Sequence, residues 1–379
     1  MLSLSLGLAL ACTAGSGDTE PDPRPTEPAV RVSPRCEDIS RRPNGVVSFY
    51  EDNPTYEDGD TVRWAEASPS EAGLDPALLD EAAEYLMRRP YVDSFLVVRG
   101  GALVYERYFQ GTQPWHSQNV HSSSKSLLGA VTGVAVAEGV IDDIDDAVAD
   151  YLPALFEEVD DPDKHDITVR HLLTMSAGFE WTEDVDEYWL EENPDWLRAI
   201  LRLPMEAAPG EVFNYSSAQT HLLAAVIAEA SGMSYCDYLH ARLLEPMGVQ
   251  AEHMGRDPQG YFSGGYNLYL TPRELATFGK LTLARGEWEG EQLVPADWMD
   301  AAVTGHMDAG GGYEYGYLFW LLRLTAVEVD IAWGYGGQLV YTFPEHDLAV
   351  IITTNTHDYE PDFHGTDVLM RYVLPAILD

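Results

Sequence analysis

The chain has 379 residues, 45% of them hydrophobic, enough to bury a substantial core and too apolar for a protein disordered throughout. Against 22 Lys and Arg stand 63 Asp and Glu, a formal charge of −41. A surface that negative repels nucleic acid and anionic lipid headgroups, which argues against both as partners, and suits high ionic strength, where screening relieves self-repulsion.

Met1–Ala11 (MLSLSLGLALA) is a short apolar run ending in small residues, as in the hydrophobic part of an export signal. The LALAC ending is similar to a bacterial lipoprotein processing site with Cys12 as the acylated residue, although no Lys or Arg precedes the run. The expectation is an exported protein, either a membrane-anchored lipoprotein attached through Cys12 or a periplasmic or extracellular one. Residues 12–45 are rich in Pro, Gly, Ser, Thr and acids without apolar periodicity, and read as a flexible tether. Of the three cysteines, Cys36 and Cys236 either form one disulfide or stay unpaired; their spacing does not decide it.

The globular domain is assigned to residues 46–379. Ser94–Phe109 holds two apolar runs around Gly100 and Gly101, a hairpin signal. Ser122–Gly139 alternates small and aliphatic residues at helical spacing and reads as a buried helix. A mostly helical subdomain, about 141–260, includes helices over Val169–Met175 and over Ala218–Ser231, the latter closed by Gly232. Strands are predicted at Tyr315–Leu322, Ala326–Trp333, Gln338–Phe343 and Leu348–Thr354, with a turn at Pro344–His346. A hairpin first, helices between and strands last predict an α/β (α+β) fold: one antiparallel sheet built from both chain ends, flanked by helices, with a cleft beside the helical insertion.

Lysine is scarce, confined to Lys125, Lys164 and Lys280, so a lysine inside an apolar helix asks for a reason. Ser122 stands three residues before it, the S-x-x-K spacing that puts hydroxyl and amine on one helix face. Serine needs a neighbouring base to become a nucleophile, and a desolvated lysine can be one. A serine run at a helix start also serves as a cap. Tyr215, at a loop–helix junction, can relay a proton to a leaving group, or simply pack. Gly336 and Gly337 let a ligand approach the backbone, and the Gln338 N–H can join that of Ser122 as an oxyanion donor; a plain glycine turn is the alternative. The acidic run Asp142–Asp150 reads as a solvated face rather than a cation site. There is no H-E-x-x-H or G-x-S-x-G pattern, and His121, His165 and His171 are too scattered for a metal site.

Together Ser122-x-x-Lys125, Tyr215-Ser216-Ser217 and Tyr335-Gly336-Gly337 resemble the motif set of the serine β-lactamase and penicillin-binding-protein superfamily, within it the class C β-lactamase-related branch of esterases, D-amino peptidases and nylon-oligomer hydrolases. The phrases Ile167–Gly178 and Leu270–Gly279 extend the likeness from about Ser68 to the C-terminus. The resemblance implies Ser122 as nucleophile, Lys125 as base, Tyr215 as relay, Ser122 and Gln338 as oxyanion donors, and Ser217, Tyr335, Gly336 and Gly337 along the substrate, with no metal or cofactor. Ser217 stands where the β-lactamase pattern has Asn, and Tyr335 where it has Lys or His. A phenol cannot attract a substrate carboxylate by charge, so small neutral esters or amides are expected. The alternatives are a D-Ala carboxypeptidase, D-amino peptidase or β-lactamase, and a non-catalytic surface-tethered binding module.

Overall fold

A computed structural model describes residues 31–40, 62–183, 185–325, 327–356 and 365–378. The export segment and Cys12 lie outside the described residues. Among those described, the helices include α1 (Pro34–Ser40), α2 (Pro76–Met87), α3 (Ser123–Ala137), α4 (Asp186–Glu191), α5 (Ser217–Ser231), α6 (Tyr235–Leu239) and α7 (Pro272–Leu283). The principal strands are β1 (Val92–Arg99), β2 (Ala102–Tyr108), β3 (Met307–Gly310), β4 (Tyr313–Tyr315), β5 (Trp320–Leu324), β6 (Val327–Gly334), β7 (Gln338–Phe343) and β8 (Leu348–Thr354). They form one sheet in the order β2-β1-β8-β7-β6-β5-β4-β3, antiparallel throughout.

The sheet is covered on both faces, and its central strands β7 and β8 are buried at every position, with apolar residues on both sides rather than at alternate positions. In β8, Leu348, Val350 and Ile352 enter one core with α2 and the C-terminal helical turns, while Ala349 and Ile351 enter the other with α3 and α7. Helix α7 starts in a capping box, Thr271 with Glu274, and packs closely on the sheet because Gly279 presents no side chain to Val340 and Ala349. The hairpin turn places Gly100 and Gly101 at φ +60° and +73°, conformations that cost glycine little.

Two expectations are corrected. The strand predicted over Tyr315–Leu322 is two, β4 and β5, hinged at Gly316–Phe319, where Gly316 N donates to Phe319 O and Leu318 adopts φ +61°. Gly316 lies so close to Ala302 O that no side chain fits, which forces the reversal. The tether, drawn to residue 45 on composition, includes a folded element. Helix α1 is stapled by a Cys36–Cys236 disulfide to α6, and Ser33 N donates to Asp237 at 2.9 Å. Composition marks the residues as polar, but a bond across 200 positions is not written locally.

Candidate active site

The nucleophile candidate sits where a strained turn feeds a buried helix. Residues 118–119 pair with Leu268–Leu270, which pairs in turn with His253–Met254. His121 then takes φ +46°, its N–H donating to Asn119 Oδ1 at 2.9 Å. The same oxygen accepts from Asn267 N at 3.1 Å, and Asn119 Nδ2 donates to Asn267 Oδ1 at 3.0 Å. This amide pair over-determines the turn, as a strained position needs.

Ser122 is the N-cap residue of α3, yet its side chain makes no capping bond. Its Oγ instead lies 2.9 Å from Lys125 Nζ. That geometry answers the capping alternative. Ser123 does the anchoring, its Oγ donating to Gln338 O at 2.7 Å and so docking the first helical turn on β7.

Lys125 is 1% exposed and reaches three oxygens: Ser122 Oγ, Ser217 Oγ at 2.9 Å and Gly265 O at 3.0 Å. Burial lowers its pKa, opposed by the charges of Glu183 and Glu187. The ring of Tyr215 lies beneath the amine, 5.1 Å to the centroid, and its hydroxyl hydrogen-bonds Ser122. Burial, then the charges around it, raise the Tyr215 pKa well above the usual phenol range, so it is a protonated donor at neutral pH. Tyr215 is fixed from behind: Asn214 donates to Trp181 O at 3.0 Å and Gln219 to Asn214 O at 2.9 Å.

The remaining predicted residues fall nearby, with one change of part. Gly336 and Gly337 (φ +78° and +99°) form the β6–β7 turn. Gln338 Nε2 donates to Thr354 O at 2.6 Å, and Thr354 Oγ1 to Gly336 O at 2.6 Å, which pins that turn. Gly334 packs against Val120 O and Ser123 N, bringing this strand end beside the helix start. Tyr335 faces the His121 ring at 5.7 Å. Burial and the Lys125 charge push the His121 imidazole down to about 3, so it stays neutral. Ser217, expected along the substrate, is 1% exposed and bridges Lys125 to Glu183, its Oγ donating to Glu183 Oε1 at 2.6 Å.

Glu183, Glu187 and Gly265 escape sequence reading. Two are acids among 63 in a segment without periodicity, and a carbonyl acceptor leaves no trace in residue type. Trp320 also escapes it: with the buried Tyr315 it packs against the Tyr215 ring, centroids 5.3 and 6.2 Å away. Among the described residues the one grouping with metal-ligand spacing is Cys36, Cys236 and His240, whose sulfurs are bonded to each other.

The chain is 27% identical over 239 residues to the 6-aminohexanoate-dimer hydrolase of Paenarthrobacter ureafaciens, covering 59% of each protein. It is 24% identical over 367 residues to Esterase EstB of Burkholderia gladioli, 77% of this chain and 92% of that one. The fold superposes on a D-stereospecific amidohydrolase from Streptomyces sp. with TM-score 0.63 and 19% identity, covering 79% of this chain and 98% of the other. With residues 81–374 matched by the Beta-lactamase family model, and a buried Ser–Lys pair faced by a tyrosine at its sheet–helix junction, the chain belongs to the Beta-lactamase family.

Proposed function

We propose that the protein hydrolyses small neutral esters or amides in two steps through an acyl-enzyme on Ser122. The observation that carries this reading is the Ser122 Oγ–Lys125 Nζ contact of 2.9 Å on a serine that caps nothing. In the first step Lys125 takes the Ser122 proton as Oγ attacks the acyl carbon, and the N–H groups of Ser122 and Gln338 receive the oxyanion. Tyr215, a protonated phenol between amine and cleft, passes a proton to the leaving group, and water then releases the acid. Tyr335 in place of a cation favours uncharged acyl groups, and the partly exposed Trp320 beside Tyr215 adds apolar character. The relatives named as an amide hydrolase and an esterase support this substrate range. Three polar partners around a buried lysine speak against a pure binding module, which needs none of them.

Hydrolysis of short-chain p-nitrophenyl esters tests this. Ser122→Ala and Lys125→Ala should each lower kcat/KM by a factor on the order of 10² or more with melting unchanged. The rate should rise with pH through the Lys125 titration, since only the free amine accepts a proton. Because burial lowers that pKa, the acid limb should fall below the ordinary lysine value of about 10.4. A Ser122→Ala variant as fast as wild type would overturn the nucleophile. Faster turnover of β-lactams or D-Ala-terminated peptides than of esters would move the substrate class to the rival hydrolases.

A further inference from the structure

A neutral lysine amine has two N–H bonds and one lone pair. To act on Ser122 the lone pair must face Ser122 Oγ, so both N–H bonds must go to the other two neighbours, Ser217 Oγ and Gly265 O. A carbonyl can only accept. A hydroxyl can accept or donate, and if Ser217 donated to Lys125 it would occupy the lone pair and silence the base.

The Ser217 proton is committed elsewhere. Its Oγ donates to Glu183 Oε1 at 2.6 Å, its N–H donates to Glu183 Oε2 at 2.9 Å, and Trp181 Nε1 donates to that same Oε2 at 2.5 Å. Glu183 therefore accepts on both oxygens, the pattern a carboxylate offers. Behind it, Glu187 on α4 is fully buried and hydrogen-bonds both Glu183 and Ser217. Burial, then the Glu183 charge, raise the Glu187 pKa well above the ordinary carboxyl value, so Glu187 holds its proton more tightly than a free carboxyl does.

We propose that Glu183, backed by Glu187, is a positioning residue for acylation: by holding the Ser217 proton it makes Ser217 accept from Lys125 and turns the amine lone pair onto Ser122. The proposal rests on the Ser122–Lys125 reading above. When the Ser122 Oγ–carbon bond forms, the carbonyl π pair moves onto oxygen and the Ser122 proton moves onto Lys125. The new ammonium keeps its bonds to Ser217 and Gly265, and the Glu183 carboxylate, one hydroxyl away, offsets its charge. As the bond to the leaving group breaks, that proton returns through Tyr215 and the amine is restored. The other titratable neighbours stay uncharged around neutrality: His121 is held deprotonated, and burial raises the pKa values of Tyr215, Tyr266 and Tyr315, keeping them protonated.

Glu183→Gln preserves shape and reverses polarity. With its amide oxygen on the Trp181 and Ser217 N–H donors, its nitrogen faces Ser217 Oγ as a donor and sends that hydroxyl's proton toward Lys125. Esterase kcat/KM should fall on the order of 10²-fold, and the acid limb should move to lower pH, since the carboxylate that favoured the ammonium is gone. Glu183→Asp should recover part of the rate. Ser217→Ala alone should cost about tenfold through a less fixed amine. The double variant Glu183→Gln/Ser217→Ala should match Ser217→Ala, because the silencing hydroxyl is absent. A Glu183→Gln variant with wild-type rate and limb overturns the proposal, and so do two losses that simply multiply. If Glu183→Gln does not fold, Ser217→Ala with the wild-type rate overturns it instead. Ser122→Ala in the same assay separates the two failures: if it stays active the acyl-enzyme reading falls, whereas if it is dead beside an unaffected Glu183→Gln, only the positioning role falls.

Discussion

A Cβ on Gly265 would lie 2.6 Å from Thr220 Oγ1 and 3.1 Å from Lys125 Nζ, so a methyl group there displaces the amine from Ser122. Gly265→Ala should lower esterase kcat/KM roughly 10- to 100-fold. Its effect on the melting temperature should be comparatively small, and a variant with full activity would show that the amine has room to spare. The sequence carried Ser122, Lys125 and Tyr215 visibly because their side chains do the proposed chemistry and stand at motif spacing. It hid Gly265 because the contact uses a carbonyl, and Glu183 because its value lies in which hydrogen it accepts. Ser217 shows the limit most clearly. Its motif position was legible, but its partner was not, and the partner turns a substrate contact into an internal bridge.

Helix α3 must carry the Ser–Lys pair at a fixed depth, and two glycines one turn apart set it. Trp298 Nε1 donates to Gly129 O at 3.0 Å, and a Cβ on Gly133 would fall 2.2 Å from the Trp298 ring. A Cβ on Gly129 would meet Tyr317 O at 2.5 Å. Gly133→Ala should therefore cost about 1–3 kcal/mol by overpacking, read as a lower melting temperature; an unchanged melt would mean that Trp298 swings away freely. Alternating small and aliphatic residues at helical spacing announced this helix as buried, and Gly232 (φ +67°) announced the end of α5. The division between β4 and β5 stayed hidden. Apolar residues run through Tyr315–Leu322 as in a single strand, and the reversal follows from a close approach between Gly316 and the distant Ala302.

At the scale of the molecule, the Cys36–Cys236 bridge closes a loop of 200 residues in sequence around most of the helical layer. In the chain-entropy account a bridge of this span stabilises by about 2–5 kcal/mol. Cys36→Ser/Cys236→Ser should melt well below the wild type while esterase kcat/KM measured at 25 °C stays near it; equal melting would assign the bridge no share in stability. That one sheet draws on both chain ends was foreseeable from a hairpin first and strands last, whereas this bridge was one of two open readings. The placement of β1 between β2 and β8 also has a consequence in time. A ribosome makes β1 before the whole helical subdomain and β8 after it, so until β8 emerges the hairpin lacks its inner neighbour and keeps an open apolar edge. Such long-range pairing closes slowly. The inner edge of the hairpin is thus closed only after the helical subdomain between β1 and β8 has been made.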